Sequence, residues 1–93
     1  MADPQRRLHL ITRLGDELAW AACAAEAAAG TAVEVVLLHD AVLEPVPLAR
    51  DERLVVLAGA EDARRRGVAE RWVLVDYAEL VNRCVVAAAV VCW

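Results

Sequence analysis

Short apolar runs of four to seven residues recur along the chain, most of them closed off by polar or turn-forming residues, the pattern of buried strands. Residues 8–12 (Leu-His-Leu-Ile-Thr), 33–38 (Val-Glu-Val-Val-Leu-Leu), 54–57 (Leu-Val-Val-Leu) and 72–75 (Trp-Val-Leu-Val) read as strands largely buried on both faces, the parallel-sheet pattern. Residues 85–91 return as a fifth such segment; its β-branched ends favour a strand, although Ala87, Ala88 and Ala89 would tolerate a helix. Helix signals fall between the runs. Asp16 stands as N-cap before a long alanine-rich segment that Gly30 can end in a left-handed turn. Residues 61–66 place acidic side chains early and three Arg late, the order the helix dipole favours, and Gly67 stops them. Asp76 follows the fourth run directly, with Glu79 three residues on, the spacing of a capping box. Residues 41–43 allow one helical turn before 44–48, where two prolines forbid regular structure. Strand alternating with helix predicts a three-layer α/β/α sandwich over a five-stranded, mainly parallel sheet, with residues 1–93 as a single domain.

The long helix has two usable faces. At about 100° per residue Leu18, Ala22, Ala25 and Ala29 share one side, while Asp16, Trp20, Cys23 and Ala27 share the other. The smooth Leu/Ala side is expected against the sheet. That expectation leaves Trp20 and Cys23 pointing away, with Trp20 in want of a partner surface.

Composition then removes several functions. Ten Arg and no Lys stand against fourteen carboxylates, and a net charge of −4 repels nucleic-acid phosphates and anionic membranes. The longest apolar tract, residues 84–93, is about half the length of a membrane span, so a cytoplasmic protein is expected. Without Ser or Lys the chain has no serine nucleophile, no Schiff-base lysine and no phosphate-loop lysine. Cys23, Cys84 and Cys92 form no Cys-x-x-Cys and are expected as free thiols; with two His they make no metal constellation, and no cofactor is expected.

Ligands of open α/β sheets gather at the carboxyl ends of the strands. That edge is expected to carry His39, Asp40, Asp76 and Tyr77 as a strand-end cleft, beside Thr12, Arg13 and Gly59. His39 and Asp40 offer an acid/base pair or simply a surface histidine beside a turn aspartate. His9, within the first strand, reads as a partly buried histidine holding one hydrogen bond. Cys23 lies mid-helix between Asp16 and Glu26, whose charge disfavours its thiolate.

In the order and spacing of Leu8-His9, Val36-Leu-Leu-His-Asp40, the Glu61-Asp62 to Arg66-Gly67 segment, Leu74-Val-Asp-Tyr77 and Trp93, the chain resembles the DsrH/TusB branch of the DsrE/DsrF/DsrH superfamily of sulfur-relay proteins. The resemblance spans nearly the whole length. It implies a five-stranded parallel sheet and assembly into a heterohexamer with DsrE/TusD-like and DsrF/TusC-like subunits; self-association is the other expectation, from Trp20, Trp72, Trp93 and the apolar tail of so small a domain. Such complexes pass persulfide sulfur towards 2-thiolation of the tRNA wobble uridine or towards sulfur oxidation. The principal sulfur-accepting cysteine belongs to the DsrE/TusD-like subunit; Cys23 falls where some DsrH-like members carry a cysteine, which implies a secondary sulfur carrier. His39 and Ala41 stand where the family tends to show Glu-Asp-Gly, residues 85–89 are apolar where a polar turn is usual, and Cys92 precedes the final Trp.

The leading expectation is therefore an accessory subunit of a sulfurtransferase complex, non-catalytic or carrying sulfur on Cys23, with Trp20 and Trp93 at its interfaces. The rival is an orphan small-molecule-binding or regulatory module working through the His39/Asp40/Tyr77 edge. A sulfurtransferase in its own right is a third.

Overall fold

The computed structural model describes residues 6–45 and 53–93, so part of the proline-containing segment 44–48 lies outside the described residues. Five strands form one all-parallel sheet: β1 (Arg7–Ile11), β2 (Val33–Leu37), β3 (Leu54–Gly59), β4 (Leu74–Val75) and β5 (Ala89–Cys92), in the spatial order β4-β3-β2-β1-β5. Helices α1 (Glu17–Ala28), α2 (Ala60–Arg65) and α3 (Tyr77–Val86) connect them, with 3₁₀ turns at His39–Leu43 and Ala69–Arg71. Every residue of β2 is buried, as its unbroken apolar run requires of a central strand.

Strand alternation divides the core into two layers. Ile11, Val33, Val35, Leu37 and Ala58 pack on one face with Ala19, Cys23 and Ala27 of α1 and Ala63 of α2. Leu8, Val36, Leu57 and Val75 pack on the other, against Leu80 and Cys84 of α3. The three layers expected from the sequence are therefore present. The second face is the thinner one, because a single ten-residue helix covers it and no residue of α3 is fully buried.

Helix α1 docks by the side opposite to the one expected. Ala19, Cys23 and Ala27 are buried and Trp20 packs on the same cluster, whereas Leu18 is 77% exposed. Alanines on both sides give little contrast, so the larger contributions decide: turning Trp20 and Cys23 inward buries more apolar area than Leu18 would, and brings Glu26 within reach of β1. Cys23 is thus not reachable from solvent in this chain.

Two boundaries also move. Of the run 72–75 only Leu74–Val75 forms strand, because Trp72 turns its ring onto the core and its indole N–H donates to the Val42 carbonyl (2.9 Å). Helix α3 runs on through Val86, and the last strand begins at Ala89. Asp16 and Asp76 cap α1 and α3 as expected, accepting from the Ala19 and Glu79 amides. Glu79 does not close a capping box; its carboxylate takes Arg83 Nη2 (2.9 Å), where a charge-assisted bond is available.

Candidate functional site

In a doubly wound sheet the first place to look is where the strand order reverses, here between β1 and β5. The chain fills that place itself. The Thr12 hydroxyl donates to the Trp93 carbonyl (3.1 Å), tying the two strand ends together. Two amides around the start of α1, where an anion would otherwise be suited, are taken by the protein's own carboxylates: Asp16 accepts from Ala19, and the buried Glu44 accepts from Gly15. An open groove of about 330 Å³ remains along Arg13 to Leu18, with no amide left to receive a phosphate from those two positions.

A second cleft opens at the carboxyl ends of β3 and β4, between the starts of α2 and α3. Leu38, Gly59, Asp62, Asp76, Tyr77 and Leu80 line it, and its volume is about 120 Å³. A Cβ at Gly59 would lie 2.8 Å from Leu38 Cδ2, so a larger residue there requires the end of the Leu38 side chain to turn aside. Of the expected strand-end residues, Asp76 and Tyr77 line this cleft. His39 and Asp40 stand beside it without lining it: His39 Nδ1 is 3.9 Å from Asp62 Oδ1, and Asp40 Oδ1 accepts from Arg66 Nε at 3.1 Å. The two neighbours thus point to different partners and do not form an acid/base pair. His39 sits at φ 50°, a left-handed conformation uncommon for a residue with a side chain. Tyr77 is 81% exposed.

Cys23 is fully buried in the α1 layer, and its thiol is pushed up to about 12, first by burial and then by the Glu26 charge. Glu26 was legible in the sequence; the burial, which weighs more, was not. Cys84 is raised too, by its own burial and then by Cys92, while Cys92 is exposed. All three thiols are free.

The polar constellation that the sequence did not disclose is His9 with Glu26 and Trp93. His9 is buried; its Nε2 lies 2.9 Å from Glu26 Oε1, and its Nδ1 accepts from Trp93 Nε1 at 2.9 Å. Indole N–H can only donate, so Nδ1 carries no proton and Nε2–H faces the carboxylate: the arrangement fixes the neutral tautomer. Arg7 Nε adds an ion pair to the same carboxylate at 3.3 Å. The interface expected at Trp93 is in part this internal bond, and Trp20 packs inward as well, its indole N–H buried and unpaired among the described residues. On the opposite face the buried Glu34 accepts from Arg6 Nη1 (3.2 Å) and from Arg83 Nη1, fastening α3 to the sheet.

Among the described residues no three His, Cys, Asp or Glu side chains are grouped to hold a metal ion, and no helix is long and apolar enough to cross a membrane. No protein-family model matches the chain, and neither the curated proteins nor the solved structures contain a match.

Proposed function

We propose that this chain is an accessory, non-catalytic subunit of a sulfur-relay assembly of the DsrE/DsrF/DsrH kind, one that docks the sulfur-carrying subunits and does not itself accept sulfur. The observation that carries the docking half is the outer side of α3. Tyr77, Val81 and Val85 recur at four-residue spacing and are all exposed, and Val85 is 76% exposed. The helix's charges do not interrupt that stripe, because Glu79 and Arg83 are paired with each other and Arg83 with Glu34. An apolar stripe without unpaired charge suits the apolar face of another protein's helix. The sulfur half rests on the sequence resemblance.

Placement of Cys23, the thiol the resemblance singles out, favours the non-catalytic form of this reading. A persulfide forms on a thiolate that a donor can reach, and Cys23 is both buried and held protonated. The small-molecule reading draws less support, since the cleft beside Asp62, Asp76 and Tyr77 is well below the roughly 300–1,000 Å³ of ordinary ligand pockets.

Co-expression with DsrE-like and DsrF-like subunits tests the proposal. The chain should co-purify with them, and Val81→Glu/Val85→Glu should lose the complex while keeping the far-ultraviolet circular dichroism of the parent. During sulfur transfer, mass spectrometry should find persulfide on the partner's cysteine and none on Cys23. Failure of the parent to co-purify, or persulfide on Cys23, would overturn it.

A further inference from the structure

The outer edge of β5 is a ready-made pairing surface, and we propose that it takes the β5 edge of a second copy of this chain, joining two sheets across a two-fold axis. Trp93 N–H donates to the Leu10 carbonyl (2.9 Å), and β5 pairs with β1 in the register Ala89 to Arg7 and Val91 to His9. By strand alternation Ala89 and Val91 also turn their backbone groups towards β1, so Val90 and Cys92 direct theirs away from the sheet. Within the sheet β5 has β1 as its only neighbour among the described strands. What satisfies a row of outward N–H and C=O groups is another extended strand.

Side-chain chemistry selects the occupant. A two-fold axis sets each group opposite itself or a near neighbour, so a charged edge repels its own copy and an uncharged one does not. Ala89, Val90, Val91 and Cys92 carry no charge, no proline and no glycine, and so lack the devices by which edge strands avoid their own kind. The charged side chains flanking the start of β5 are already occupied: Arg6 and Arg83 both bind Glu34, and Arg7 binds Glu26. Val90 is 40% exposed on the side of the sheet that α3 covers, and Val86 at the end of that helix is exposed as well, so pairing removes apolar surface along with the open edge. The opposite edge differs, since β4 is two residues long and runs straight into Asp76.

With the axis at Val91, Val90 of each copy lies opposite Cys92 of the other in antiparallel pairing. Each such pair exchanges two backbone hydrogen bonds, about four in all.

Sedimentation of the isolated 93-residue chain over a concentration series tests this, and needs none of the partner subunits on which the functional proposal depends. The parent should approach about twice its 10.1 kDa mass. Val90→Pro deletes an outward N–H that makes no bond inside the sheet, at an edge position that tolerates proline, and should sediment as a monomer with unchanged circular dichroism. Should that variant fail to fold, Val90→Cys in a Cys84→Ala background provides a second route. Hydrogen-bonded antiparallel neighbours sit about 5.5 Å apart at Cα, within disulfide reach, so mild oxidation should give a covalent dimer that adding Cys92→Ser abolishes. A parent that is monomeric at every concentration, a folded Val90→Pro variant that still dimerises, or the absence of the Cys92-dependent crosslink would each overturn the proposal.

Discussion

Trp93 holds a hydrogen bond that cannot be replaced by water without opening the core, because its partner, His9 Nδ1, is buried. Trp93→Phe keeps most of the ring and removes the donor. It should cost about 1–3 kcal/mol, the usual penalty for a buried acceptor left unsatisfied, measured as a lowered midpoint in urea unfolding. A second prediction concerns Cys23. Its folded value of about 12 lies above the ordinary 9.0, so the neutral thiol is favoured by folding; that contribution is whole below pH 9 and is lost as the pH climbs towards 12. Stability measured between those limits should fall in the parent and fall less steeply in Cys23→Ala. At neutral pH a neutral alkylating reagent should modify Cys92 first and leave Cys23 untouched while the chain stays folded. Both single residues were visible in the sequence as types. Their surroundings were not, since His9 meets a residue 84 positions away and the burial of Cys23 depends on which side of α1 docks.

At the level of elements, α3 is held more by charge than by packing. No residue of it is buried, whereas Arg83 reaches the buried Glu34 on β2 and Glu79 on its own helix. Removing the cation leaves Glu34 with Arg6 alone, and breaking a buried pair from one side costs on the order of 3–5 kcal/mol, less where water still reaches the cation as it does here. Arg83→Ala should therefore destabilise the fold by about 1–3 kcal/mol, and hydrogen exchange should show α3 losing protection before β1, β2 and β3 do. Element types were legible wherever a cap or a run marked them: Asp16, Asp76 and Gly67 sit at the ends where their chemistry put them, and all five apolar runs contribute to strands. The docked side of α1 was not legible, because alanine on every side leaves the choice to Trp20 and to the reach of Glu26 towards His9. Nor was the true start of β5, since Val85 and Val86 carry strand propensity yet complete a helix whose cap and ion pairs lie further back.

For the whole molecule, the parallel sheet and its three layers follow from alternating short runs and helices, but the order of strands does not. That order decides where chemistry is available. It puts β1 in the interior and ties the reversal point together with Thr12, Trp93 and Glu44, leaving the open groove along Arg13 to Leu18 there and the smaller cleft at β3 and β4. The same order has a consequence for how the chain is made. Strand β1 leaves the ribosome well before one of its two neighbours, β5, which lies more than 80 residues further along. Until that neighbour is synthesised, Leu8 and Leu10 carry an unoccupied row of amides and carbonyls on one side. Closing a loop of that length carries an entropy cost that only the assembled sheet repays, so the flank of β1 stays open until β5 has been made. A nascent chain of this design is at its most vulnerable to pairing with the wrong strand in the interval before β5 arrives.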